Sequence, residues 1–140
     1  MNKSLILGFL FVCFIGPSYG QESTHSQVLE DLCRNQQQTP EEIYENGYLI
    51  ECYFDGADIP SAFERYKQLD IENNANFINK LVRNKNMKVT CSQAGCVEAE
   101  YYWPNDKQLD ISLLFEGGET TYKYTEEAKG TKLEIRMFPD

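Results

Sequence analysis

Histidine is nearly absent: the chain of 140 residues holds 1, His25. A His-x-x-x-His metal pair cannot exist. A serine or cysteine nucleophile assisted by imidazole has a single candidate, placed before the first predicted helix where backbone is often mobile. Other chemistry is missing too. No Gly-rich phosphate loop follows a strand, no Asp-x-Asp-x-Asp-Gly calcium loop is present, and the cysteines lack the Cys-x-x-Cys spacing of zinc sites. Asp55-Gly56-Ala57-Asp58 is a faint echo of a calcium loop, explained more simply by a turn and a helix cap. No metal, cofactor or catalytic residue is therefore expected. After Gly20 no apolar run is long enough to span a bilayer.

Positive charge is scarce as well, with Lys and Arg at 13 against Asp and Glu at 22, a net charge of −9. Such a surface repels phosphate backbones and anionic lipid heads, which argues against nucleic-acid and membrane-surface roles. It favours a basic protein partner, mainly through on-rate and specificity, and it also keeps an exported protein soluble.

What is present begins with a secretory signal. Lys3 supplies a short positive region, Leu5 to Ile15 an apolar run, and Ser18-Tyr19-Gly20 a small-x-small cleavage site. Residues 1–20 are expected to be cleaved, leaving 21–140 as a single domain. Loss of Lys3 makes the net charge one unit more negative. Cys13 leaves with the signal and makes no lipoprotein anchor, because Val12 stands where a small residue is required. The protein is expected in an oxidising compartment, the periplasm if bacterial and otherwise the extracellular space. The absence of Asn-x-Ser/Thr after Gly20 fits a periplasm.

Export turns Cys33, Cys52, Cys91 and Cys96 into a disulfide framework. Their placement suggests Cys33–Cys52 and Cys91–Cys96, contributing roughly 3 and 2 kcal/mol by loop entropy. The second bridge would cross a hairpin, with Gly95 free to take a positive φ.

Hydrophobic period divides the chain into a helical part, 24–84, and a strand-rich part, 87–138. Thr24 and Gln27 have capping-box spacing ahead of a stripe of Val28, Leu29, Leu32 and Cys33. Thr39-Pro40-Glu41-Glu42 is the strongest helix start, with Ile43, Gly47, Ile50 and Phe54 on one face. Tyr48 to Phe54 also alternates as a strand would; the helix is preferred. Asp58-Ile59-Pro60 opens a helix bearing Ala62, Phe63, Tyr66 and Leu69, and Asp70 could cap a fourth with Ala75, Ile78, Leu81 and Val82. From Met87 onward alternation of period two, broken by turn signals, predicts a meander. The expected fold is α+β: three or four N-terminal helices packed on one face of a C-terminal antiparallel meander of four or five strands. Its other face would carry Glu98, Glu100, Asp110, Ser112, Thr121, Lys123, Thr125, Lys132, Glu134 and Arg136 to solvent.

In that alternation Tyr101 and Trp103 point inward and Tyr102 outward beside Glu98 and Glu100. Tyr102 and the turn Trp103 to Asp106, including Asn105, form the leading interface candidate. The Glu116-Gly117-Gly118-Glu119 turn is the second. The functional expectation is a small exported acidic binding protein, an inhibitor or immunity protein that occludes a basic toxin or wall-degrading hydrolase. The alternative is an envelope assembly component bound through a sheet edge such as Thr131 to Phe138. A weaker third reading is a carboxylate hydrolase using Glu98, Glu100 and Asp110. Homodimerisation is left open.

Overall fold

The computed structural model describes residues 23–91 and 93–139. The predicted signal segment 1–20 lies outside the described residues. In chain order the elements are α1 (Ser23–Leu32), β1 (Cys33–Asn35), α2 (Pro40–Asn46), β2 (Tyr48–Asp55), α3 (Ile59–Leu69), a single 3-10 turn (Asn74–Asn76), and then β3 (Met87–Thr90), β4 (Cys96–Asn105), β5 (Gln108–Phe115), β6 (Gly118–Glu127) and β7 (Gly130–Pro139). His25 falls within α1 rather than ahead of it.

The expected α+β division into a helical half and a meander is overturned. Among the described residues the strands form one 7-stranded sheet in the order β1-β2-β7-β6-β5-β4-β3, antiparallel throughout, and the helices are three short ones. Two strands come from the part expected to be helical. The reason lies at Gly47. Thr39 does start α2 with a full capping box, its Oγ1 accepting from Glu42 N and Glu42 Oε2 accepting from Thr39 N. But Gly47, at φ 76°, ends that helix where a helical stripe would have run on, and its N–H caps Ile43 O at 2.9 Å. Tyr48–Asp55 then pairs along its whole length with β7. Ladders on both sides and an alternating buried set ending in Cys52 and Phe54 outweigh the helical alternative.

The expected fourth helix over 70–84 is also absent. Asp70 is buried and holds a turn instead, accepting from Asn73 N at 3.1 Å and from the Tyr66 hydroxyl at 3.1 Å. An asparagine-rich stretch competes for its own backbone in this way. The irregular chain that follows drops Phe77 and Leu81 into the core. Strand β7, once a candidate edge, is interior and paired with both β2 and β6.

One face of the sheet is covered by α3, which starts at Asp58, whose Oδ1 accepts from Ser61 N at 2.9 Å. The serine hydrogen bonds, ahead of the Arg83 guanidinium, hold the Asp58 carboxyl below the usual carboxylate range. Phe63 stands at the centre of the core, edge-on to Phe77, Tyr101 and Tyr124 with ring centroids 5.7, 6.4 and 6.3 Å away. Tyr101 and Trp103 are buried and Tyr102 exposed, following the alternation.

The close approach of β2 to the start of β7 requires Gly130. It lies opposite Asp55, and a β-carbon there would run into the Phe54 carbonyl oxygen and the Asp55 backbone. Backbone cannot swing aside as a side chain can. Gly130→Ala is expected to destabilise by about 1–3 kcal/mol, read as a lower urea midpoint. Gly56→Ala serves as comparison: no atom lies within 4 Å of an added β-carbon there, so only its φ of +67° opposes the change.

Candidate functional site

Both expected disulfides are formed. Cys33–Cys52 joins directly paired residues of β1 and β2, and Cys91–Cys96 closes the turn into β4 with Gly95 at φ 78°. The bridges fit an oxidising compartment. No helix is long and apolar enough to cross a membrane among the described residues, and among them no three His, Cys, Asp or Glu side chains gather to hold a metal ion.

The residues singled out from the sequence divide among three places. Glu98, Glu100, Tyr102 and Glu119 stand on the open face of the sheet, opposite the one α3 covers. Asn105 and Asp106 lie at the β4–β5 turn and Glu116 at the β5–β6 turn, separated by the length of β5, roughly 26 Å for a strand of this length. Trp103 is buried on the covered face. The two expected interface turns are therefore not one surface.

The β4–β5 turn is, moreover, occupied with its own packing. Arg83 Nη1 donates to Asp106 O at 2.6 Å, its Nη2 lies 3.0 Å from Glu126 and 3.5 Å from Asp58, and the guanidinium sits over the Trp103 ring. That clamp binds the loop after α3 to the end of the sheet. Glu98 is committed to Lys88 at 2.8 Å, and this hydrogen bond, with the carboxylate's charge, holds the Lys88 ammonium pKa up. Glu119 accepts from Ser112 Oγ.

What the open face does assemble is a shallow groove of about 490 Å³ whose lining includes Glu100, Tyr102, Asp110, Lys123, Glu134 and Arg136. Register places Tyr102, Asp110, Lys123 and Glu134 side by side on β4, β5, β6 and β7. The next row carries Glu100, Ser112, Thr121 and Arg136. Gln108 Nε2 donates to both Asp110 carboxylate oxygens at 3.0 and 3.1 Å and fixes that group toward the groove.

A second surface lies at the β1–β2 end. After the predicted cleavage point the first lysine is Lys67, and Arg34 is the one cation from Val28 to Glu64. Over the same stretch stand Glu30, Asp31, Glu41, Glu42, Glu45, Glu51, Asp55, Asp58 and Glu64. The acids of α1, α2 and β2 thus have no Lys or Arg among them, whereas those of the sheet's later strands are interspersed with Lys88, Lys123, Lys132 and Arg136. From the first group projects Tyr44, 90% exposed on α2 between Glu41, Glu42 and Glu45.

Helix α2 is tied down at both ends. Gln38 Nε2 donates to Gly47 O at 3.0 Å while its Oε1 accepts from Leu49 N at 2.7 Å, and Arg136 Nη1 donates to Asn46 O at 3.1 Å. Beside it a hollow of about 580 Å³ opens between the 36–38 segment, Glu42, Glu45 and Phe138.

Comparison with known protein families, curated proteins and solved structures gives no match. The site is read from its own chemistry. Tyr44 was missed in the sequence, although a signal for it existed. It falls off the Ile43 face of its helix and is surrounded by glutamates, which leaves it no core to enter. The clustering of charge was equally visible, since residues 21–66 hold no lysine.

Proposed function

We propose that this is a small exported binding protein that engages a basic protein through the acidic β1–β2 end, with Tyr44 as the anchor. An inhibitor or immunity protein blocking a basic toxin or wall-degrading hydrolase outside the cytoplasm fits that reading. The carrying observation is a fully projecting tyrosine on a helix whose own charges, Glu41, Glu42 and Glu45, are all acidic and exposed. Tyrosine supplies a large contact at low conformational cost, and the acids around it steer a cationic partner and reject anionic ones. The two anchors of α2 hold Tyr44 in place before binding, so less ordering is lost on association.

The sheet-edge alternative loses its strand, because β7 is interior. The edges among the described residues are β1 and β3, with 3 and 4 residues. Short edges of this kind are poor templates for strand addition. Of the carboxylates of the hydrolase reading, Glu100 and Asp110 line an open groove, and Glu98 is paired to Lys88.

The test is affinity capture from secreted and envelope fractions at low and high salt, comparing the wild type with Tyr44→Ala and with a Glu41→Lys/Glu45→Lys double variant. A basic protein is expected to be retained by the wild type at low salt. Tyr44→Ala should weaken its binding by roughly 30-fold, the scale of a truncated hot spot. The charge reversal should act mainly on the association rate and its salt dependence. Capture of no basic protein at low salt, or equal capture by both variants, would overturn the proposal.

A further inference from the structure

The open-face groove is built on β4 to β7, whereas Tyr44 stands on α2, and it is not explained by an acidic docking surface. It is nearly balanced in sign: Glu100, Asp110 and Glu134 stand against Lys123 and Arg136, with opposite charges adjacent in register from Asp110 to Lys123 to Glu134. A ligand of one net charge meets repulsion from two or three of these five groups. A hydroxyl group does not, since it donates to a carboxylate and accepts from an ammonium or guanidinium. At one end of the row stands Tyr102, 51% exposed, an aromatic surface beside hydrogen-bonding groups. Asp110, held by Gln108, is oriented in advance.

The volume of about 490 Å³ falls within the range of small-ligand sites, about 300–1,000 Å³. Few ligands combine rings with a dense array of groups that both donate and accept.

We propose that this groove binds an uncharged oligosaccharide, one sugar ring lying against Tyr102 and the hydroxyls of its neighbours bridging the two rows of polar and charged groups. The neutral sugar is favoured over a zwitterionic peptide because its hydrogen bonds need no fixed separation of opposite charges. Binding involves no bond making or breaking, and it makes no use of Tyr44, although Arg136 at the groove's rim also donates to the Asn46 carbonyl of α2.

The experiment titrates the isotopically labelled, disulfide-intact protein with maltotriose, cellotriose and chitotriose at millimolar concentration, with a trigalacturonate and a zwitterionic dipeptide in parallel. Amide NMR shifts in β4 to β7 centred on Tyr102, Asp110 and Lys123 are expected with at least one neutral trisaccharide. Tyr102→Ala should weaken that binding by about tenfold, the scale of an aromatic contact, and Asp110→Asn should weaken it as well. Tyr44→Ala should leave it unchanged. Since Tyr102 is exposed, its variant should keep the wild-type melting temperature, so lost binding would not reflect lost fold. The proposal is overturned if no neutral trisaccharide shifts the groove, if only the dipeptide or the anionic sugar does, or if Tyr102→Ala binds as tightly as wild type.

Discussion

Raising the pH above 10 is expected to unfold this protein within about two pH units, in a single step that also releases its buried tyrosines. Tyr66, Tyr101, Tyr122 and Tyr124 are all buried between the sheet and α3. Loss of solvent is the largest influence on each and disfavours the phenolate. Tyr101 is pushed up to about 12, although the Ile78 N–H that bonds its oxygen pulls the other way. Tyr66, Tyr122 and Tyr124 are pushed higher still, helped by one another's charge and by that of Asp70.

The sign follows from which state loses the proton first. In the unfolded chain a phenol ionises at its ordinary value of 10.0, while in the folded one it stays protonated. Below pH 10 the contribution of these groups is complete, and it drains away as pH rises toward the folded values. Each such group removes about 1.4 kcal/mol per pH unit, so four remove about 5–6 kcal/mol per unit. A domain of this size has only about 5–15 kcal/mol to lose.

Circular dichroism and tyrosinate absorbance near 295 nm, followed against pH, should therefore change together for these residues. Tyr124→Phe sharpens the test. Its hydroxyl is buried with no hydrogen-bond partner among the described residues, so the substitution should be nearly neutral at pH 7. It should also flatten the alkaline slope by about a quarter. Gradual ionisation of all tyrosines in a still-folded protein would show that this burial does not control the titration.

The parts of the fold legible in the sequence were those decided within a few residues. Thr39 and Asp58 each place a hydrogen-bonding side chain ahead of a helix whose first turn holds Pro40 or Pro60, and both helices start there. The alternation from Met87 onward has no helical competitor, and β3 to β7 follow it. Tyr48–Phe54 is different. Over so short a stretch its apolar positions satisfy both periods, and the choice rests with β7, more than seventy residues later. No local signal reports a partner that distant.

The 70–84 segment failed for a related reason. Its apolar residues have helical spacing, yet Phe77 and Leu81 are buried because they fill space under α3. At the site, the outward direction of Tyr102 was legible from alternation alone. The commitment of Glu98 to Lys88 and of the Asp106 carbonyl to Arg83 was not, since both partners come from other segments.

Phe63→Ala should be the most damaging single core substitution in α3, and its effect follows from where that ring stands. It has no exposed surface and touches Phe77 from the irregular segment, Tyr101 from β4 and Tyr124 from β6. Tyr66 also meets Phe77 and, through Tyr122, the sheet, but Phe63 is the α3 aromatic that stacks against rings of both β4 and β6. Removing the Phe63 ring leaves a void between α3 and the sheet, and the strands beneath cannot fill it, because ladder hydrogen bonds fix their places. A cost of about 3–5 kcal/mol is expected, a fall in melting temperature of roughly 10–20 °C. Phe63→Leu should recover much of it. Tyr44→Ala, on the surface, should stay within about 0.5 kcal/mol of wild type. Urea unfolding of the three variants would decide the matter: a loss below about 1 kcal/mol for Phe63→Ala would mean that α3 is held to the sheet by other contacts. The same series separates stability from binding. Tyr44 and Tyr102 lie outside this core, so a folded Phe63→Leu protein should keep the affinities of both surfaces while melting earlier.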